Sequence, residues 1–394
     1  MKYDRPLLST LRKELSRPAR VIHVLIGPRQ VGKTTIARGI EESIGIPTVY
    51  ATADSPVPLD SAWIETQWRR TIAEGAPSGG PVLLILDEVQ KVLGWSETLK
   101  LLWDSRPKAP EIRVLILGSS SLLMQEGLTE SLAGRFFLHR CNHWWYPECR
   151  AAFGWTLEQW IYFGGYPGAA SFMENESSWK RYIADALIET VLARDVLQMN
   201  RIAKPVLLRH LFALAATLPA QSVSYTKMLG QLHDAGNTTT LAHYLRLLET
   251  AFLASGLELF SRGTQRKRGS SPKLVLWNNA LVNALSTRTF ADALNDAIWW
   301  GRLVENAVGA CLCNSLNSVE FEISYWREGG YEVDYVVARG QDVWAIEVKS
   351  GRSGKATGLT RFRDRYPKAH VLLVGGQGIP LDAFFSKDPA SWLV

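Results

Sequence analysis

The stretch "GPRQVGKTT", residues 27–35, decides the fold. Gly27 through Thr34 fit G-x-x-x-x-G-K-T, with the apolar run "VIHVLIG" leading in and a helical stretch leading out, the context of a phosphate-binding P-loop. Glycines let successive backbone N–H groups wrap phosphates, and a helix N-terminus adds a favourable dipole. The expected nucleotide cradle is Gly27, Pro28, Arg29, Gln30, Val31, Gly32, Lys33, Thr34 and Thr35. Lys33 would reach the β- and γ-phosphates and Thr34 would ligate magnesium, so ATP and Mg²⁺ are the expected cofactors.

Working outward, "VLLILDEVQK" supplies the second half of such a site. Asp87, at a strand's C-terminal end, would hold Mg²⁺ directly or through water. Glu88 would orient or deprotonate the attacking water. "LILGSSS" sets Ser119 and Ser120 beside the expected γ-phosphate, as a sensor or only a polar turn. "SLAGRFF" offers Arg135 as an arginine finger acting from a neighbouring subunit; Arg140, Arg194 and a plain surface ion pair compete with that reading. The apolar runs are continuous rather than alternating, as in buried parallel strands, so the class is α/β.

A chain of 394 residues suggests two or three domains, and 46% hydrophobic with 21% charged residues is a globular composition. The formal charge of +6 and a pI near 9.1 suit an anionic partner without requiring one. "MKYDRPLLST" lacks the apolar core of a signal peptide, and the greasy runs fall short of the roughly 18–20 residues of a membrane span. A cytoplasmic location and no membrane contact are therefore expected. Cys141, Cys149, Cys311 and Cys313 lack zinc-ligand spacing, and the 15 tryptophans are scattered, as core and interface residues are.

Past the ATPase-like core at 1–143, residues 144–220 carry helical apolar spacing, as in "WKRYIADALIETVLARDVLQM", and read as a helical lid or linker. Residues 221–280 read helix, turn, helix and hairpin, a winged helix. Its wing carries Arg262, Arg266, Lys267 and Arg268, a cluster suited to DNA phosphates, and Thr238 to Thr240 open the second helix. Many such modules contact proteins instead, and a solvated loop remains an alternative.

Residues 281–394 end in "AIEVKSG", 345–351, after a helix, a strand, a turn at Gly329-Gly330, a strand and a turn at Gly340. Glu347 and Lys349 share one strand face because side chains alternate. Asp334 lies one hairpin upstream and is expected beside them, with Glu305 on the preceding helix as a further ligand and Glu332 in reserve. Carboxylates can hold Mg²⁺, and a lysine can stabilise charge on a phosphate. The order helix–strand–strand–strand–helix–strand fits the D…(D/E)-x-K nuclease core. Between Lys349 and Lys368 seven lysines and arginines, Arg352 and Lys355 among them, face one acid, Asp364, an excess suited to a phosphate backbone.

In order along the chain, "GPRQVGKTT", "LDEVQK", "GSSSLL", "SLAGRF", "GGYPGA", "LARDV", "GRLVENAV", "YWREGGYEVDYVV" and "AIEVKSG" closely resemble a prokaryotic family of AAA+-type ATPases. Its members are fused to a C-terminal PD-(D/E)xK, restriction-endonuclease-like domain. The resemblance implies an ATPase core, a helical and winged-helix middle and a nuclease-like end. It maps functional positions onto Gly27, Gly32, Lys33, Thr34, Asp87, Glu88, Arg135, Glu305, Asp334, Glu347 and Lys349, none of them replaced. Serines at 119 and 120 depart from the asparagine that many AAA+ proteins use. The implied activity is ATP-driven processing of duplex or branched DNA by a ring, six subunits by expectation, whose last domain cuts DNA or only grips it. The competing readings are a nucleotide-dependent switch that binds protein or RNA, and a remodeller of proteins.

Overall fold

The computed structural model describes residues 3–118, 128, 131–197, 202–232, 237–261, 271–351 and 357–394. Ser119, Ser120, Arg262, Arg266, Lys267, Arg268, Arg352 and Lys355 lie outside the described residues, as does the side chain of Arg194. The chain divides into two compact units, 1–142 and 143–394. The segments expected as lid, winged helix and C-terminal domain fall together in the second.

The first unit is built on a parallel sheet of β1 (Ile22–Ile26), β2 (Thr48–Thr52), β3 (Pro81–Asp87), β4 (Glu111–Gly118) and β5 (Phe136–Arg140), in the order β2-β3-β4-β1-β5. β1, β3 and β4 are the three apolar runs read from sequence, and they occupy the centre, buried along almost their whole length. β2 and β5 are the edges. Each buries one residue of five, Val49 and His139, and short mixed runs such as "FFLHR" carry a weaker signal. Helices Ser61–Gly75 and Trp95–Asp104 cover the sheet through Ile64, Trp68, Leu99 and Trp103, which pack on Ile22, Val24, Leu84 and Val114. Asp60 caps the first of them by accepting from the Ala62 amide.

In the second unit the helical spacing of residues 176–197 is realised unusually. An α-helix, Glu176–Arg181, passes into π-helical turns at Tyr182–Glu189 and Val191–Leu197. Buried Ile183, Leu187, Ile188, Leu192 and Val196 recur every four or five residues, which suits the wider π turn better than the α turn. Helices Tyr225–Gln231 and Thr238–Thr250 precede an antiparallel pair, β6 (Ala254–Leu257) and β7 (Lys273–Leu276). Asn237 caps the second helix through the Thr240 amide.

After helix Ala297–Ser315 come β8 (Glu322–Glu328), β9 (Tyr331–Arg339), β10 (Asp342–Lys349), helix Thr357–Arg365 and β11 (His370–Gly375), in the sheet order β11-β10-β9-β8. The β8–β9 and β9–β10 pairs are antiparallel and β10–β11 is parallel, so the helix before β11 is the crossover that a parallel step requires. Leu359 and Phe362 of that helix pack on Val333, Val336 and Ala345. Among the described residues no helix is long and apolar enough to cross a membrane.

Where β1 and β5 pair, His23 Nδ1 and His139 Nε2 lie 2.9 Å apart with their rings stacked. Burial, then the neighbouring His23, pushes His139 down to about 4. The unfolded chain therefore takes up a proton at higher pH than the native one, so this pair's contribution to stability is full above about 6.5 and is lost as pH falls toward about 4. Opening free energies of the β1 and β5 amides from hydrogen exchange should fall between pH 7 and pH 5, and the fall should shrink in His139→Gln. Opening free energies that ignore pH in the parent protein would contradict this.

Candidate functional sites

The P-loop follows β1 and the acids end β3. Because the strands are parallel, both reach the same edge of the sheet, where α/β folds bind ligands. Gly32, with φ 94°, precedes helix Lys33–Ser43, so the loop feeds its amides into a helix N-terminus. The Lys33 ammonium is buried and donates to the carbonyls of Gly27 (2.9 Å) and Pro28 (2.7 Å). Burial draws its pKa below the ordinary lysine value. Thr34 Oγ1 donates to Asp87 Oδ2 at 2.8 Å, which sets a hydroxyl and a carboxylate side by side. Hard oxygen donors of this kind suit Mg²⁺.

Glu88 adopts a left-handed backbone, φ 56° and ψ 33°, which a non-glycine residue holds at a cost of about 1–3 kcal/mol and which clusters at active sites. Its Oε2 accepts from Gln90 Nε2 at 2.8 Å, with Lys91 Nζ at 3.8 Å. Two supporting residues escaped the sequence reading. Tyr50 on β2 donates its hydroxyl to Asp87 Oδ2 at 2.6 Å, and burial together with that carboxylate raises its pKa. Arg5, also buried, donates to the carbonyls of Val31 and Asn142, each at 3.1 Å, and so ties the P-loop to the end of β5. No local motif marks either residue.

Arg135 stands elsewhere. It precedes β5, whose first residue pairs with Ile22 at the start of β1, so it lies at the edge opposite the P-loop. There it holds Asp104 through two bonds, Nε to Oδ1 at 2.8 Å and Nη2 to Oδ2 at 2.9 Å. Arg140 pairs with Ile26 at the P-loop edge and is exposed.

Gly27 is required sterically, since a Cβ there would stand 2.0 Å from the Cys141 carbonyl oxygen. Gly27→Ala should displace the loop, lower stability by about 1–3 kcal/mol and abolish nucleotide binding. Calorimetric titration with ATP beside a melting curve checks both, and unchanged affinity would contradict the placement.

In the second unit the register of β9 and β10 runs to Ile346↔Tyr335, one step short of Glu347 and Asp334, and so brings the expected acids together. Asp334 Oδ2 accepts from the Val348 amide at 2.7 Å, and Lys349 Nζ donates to Glu347 Oε1 at 2.7 Å. Glu305 reaches the same place from helix Ala297–Ser315. At their centre is a residue that the sequence reading passed over. Lys273, the first residue of β7 and fully buried, places Nζ 2.5 Å from Glu305 Oε1, 3.6 Å from Asp334 Oδ1 and 3.7 Å from Glu332 Oε1. Tyr335 lies under the ammonium, 4.9 Å from ring centre to Nζ. The one trace in the sequence is a lone lysine heading the apolar run "KLVLW".

Burial opposes the charge on Lys273, but the carboxylates of Glu305 and Asp334 hold its pKa up at about 12. Burial, with Asp334 adding to it and Lys273 opposing, pushes Glu305 up from the usual carboxylate range. Burial and Asp334 likewise raise Glu347, and its bond to Glu347 raises Lys349 against the cost of burial. Asn306, next to Glu305, fixes the lysine's strand by accepting from the Leu276 amide (3.0 Å) and donating to the Leu276 carbonyl (2.9 Å). Arranged round an ammonium, the carboxylates do not fit a metal. Among the described residues no group of three or more His, Cys, Asp or Glu side chains is placed to hold one.

Residues 19–148 match the AAA domain family. Residues 154–292 and 300–383 match two domains of unknown function, DUF8612 and DUF4143. The chain is 28% identical over 353 residues to the uncharacterized proteins Mb2031c of Mycobacterium bovis and Rv2008c of Mycobacterium tuberculosis, covering 88% of this chain and 73% of each relative. Among solved structures, the Walker-type ATPase paby2304 of Pyrococcus abyssi aligns at TM-score 0.48 and 14% identity, over 72% of this chain and 96% of that one. Site geometry and the domain match agree: the N-terminal part of the chain is an AAA-type P-loop ATPase domain.

Proposed function

We propose that the protein hydrolyses ATP to act on DNA. The observation that carries the ATPase is the bond between Thr34 and Asp87 on the edge that also bears Lys33 and Glu88. Lys33 exchanges the loop carbonyls for the β- and γ-phosphates, and the loop amides hold and orient them. Glu88 accepts the proton of the attacking water. Thr34 and Asp87 would hold Mg²⁺, which supplies positive charge to the phosphate oxygens. Tyr50 keeps the Asp87 carboxylate in place. In a ring of subunits a neighbour's arginine, Arg135 or Arg140, completes the charge compensation.

The DNA part is supported by helix Thr357–Arg365. It buries Leu359 and Phe362 and leaves Arg361, Arg363 and Arg365 exposed, with Lys368 just beyond. Such a face suits a phosphate backbone without reading bases. A specific observation, the ammonium of Lys273 among the acids, favours a C-terminal domain that grips nucleic acid over one that cuts it.

Lys33→Ala should abolish ATP hydrolysis. Glu88→Gln should keep ATP affinity while hydrolysis falls about 100-fold or more, as the loss of a general base does. Duplex or branched DNA should raise the parent rate, and Arg361→Ala/Arg365→Ala should weaken that stimulation and flatten its salt dependence. If no form of DNA changed the rate, the DNA part would fall and the ATPase would stand.

A further inference from the structure

Three features of the carboxylate cluster stand together. Lys273 has no solvent exposure and brings its ammonium within 3.7 Å of Glu305, Asp334 and Glu332. It arrives from the β6–β7 pair, while the acids belong to helix Ala297–Ser315 and β9, elements 24 residues or more further along the chain. Glu347, which feels the charges of both Asp334 and Lys273, has its Oε2 buried with no hydrogen-bond partner, an unused acceptor. A compact group of carboxylates needs a buried positive charge, and a divalent cation is the usual way of supplying it. Here an ammonium fixed by the Asn306–Leu276 bonds does so.

We propose that Lys273 is an internal counter-ion occupying the place of a divalent cation, so that Glu305, Asp334 and Glu347 bind Mg²⁺ or Mn²⁺ only when Lys273 is removed or drawn out. The chemistry follows from shared demands. Both cations are hard and oxygen-seeking, and the point that the Lys273 ammonium fills, 2.5 Å from Glu305 Oε1 and 3.6 Å from Asp334 Oδ1, cannot also hold a metal. Lys273 does not serve to hold a phosphate, because the three acids round its ammonium would repel one. The inference deepens the gripping role of the C-terminal domain and does not depend on ATP hydrolysis.

The test uses the full chain without nucleotide, carrying Asp87→Asn so that the P-loop site adds no metal signal. Mn²⁺ binding is read by electron paramagnetic resonance and by the shift in melting temperature. Lys273→Met is paired with Glu332→Gln, which removes one charge of each sign, leaves the three metal-binding carboxylates intact and guards against misfolding. Circular dichroism establishes that the paired variant is folded.

The expected result is a new Mn²⁺ site in the paired variant, at least tenfold tighter than any binding by the parent. It should raise the melting temperature when Mn²⁺ is added and vanish when Asp334→Asn is included. The parent should show no Mn²⁺-dependent shift that Asp334→Asn removes. Two results would overturn the proposal: parent binding at the same carboxylates that Lys273→Met leaves unchanged, or a folded paired variant that gains no site. Loss of ATPase activity would bear only on the proposed function, because this readout contains no nucleotide.

Discussion

The hydrogen bond between Thr34 and Asp87 depends on a property of the whole first unit, the parallel direction of its strands. Because β1 and β3 run the same way, their ends reach one edge, and buried, continuously apolar strands form the sheet's centre. Between them runs β4, so the loop and the acids stand two strands apart, and the Thr34 and Asp87 side chains bridge the gap. Gly27 makes the approach possible by leaving room for the Cys141 carbonyl, and Arg5 holds the loop against the same segment. The strained backbone of Glu88 persists because β3 on one side and the turn Val89–Lys91 on the other over-determine it.

The second unit solves a different electrostatic problem. Four carboxylates, Glu305, Glu332, Asp334 and Glu347, meet two ammonium groups, Lys273 and Lys349. Taking such charges out of water costs several kcal/mol per ion, and removing one partner of a buried pair typically costs about 3–5 kcal/mol because it strands the other. Lys273 is therefore as much a tie between β7 and the β9–β10 sheet as it is a charge. The raised pKa of Glu305 has the same origin, since acids outnumber cations in a place that water reaches poorly.

Much of this was legible in the sequence, and for physical reasons. The P-loop and the acids of β3 are local patterns whose chemistry demands particular residues at particular spacing, and the central strands announce themselves by burial. The meeting of Asp334 with Glu347 followed from hairpin geometry, because alternation and a short turn settle which side chains share a face. Tyr50, Arg5 and Lys273 were not legible, because each acts across a long sequence separation and none belongs to a motif. The π winding at Tyr182–Glu189 was hidden for a subtler reason. Steps of four and five residues look helical in a sequence whichever helix they form. Arg135 lies at the edge away from its own chain's P-loop, so a role at a nucleotide would have to be played on a neighbouring subunit.

The most direct measurement is a calorimetric titration of the parent protein with ATP, in Mg²⁺ and again in EDTA. One binding site per chain, weakened when Mg²⁺ is withdrawn and also weakened in Thr34→Val, is the expected result, because Thr34 and Asp87 are placed to share the metal. A protein that binds no nucleotide, or binds it equally well without Mg²⁺ and without the Thr34 hydroxyl, would contradict the site as described.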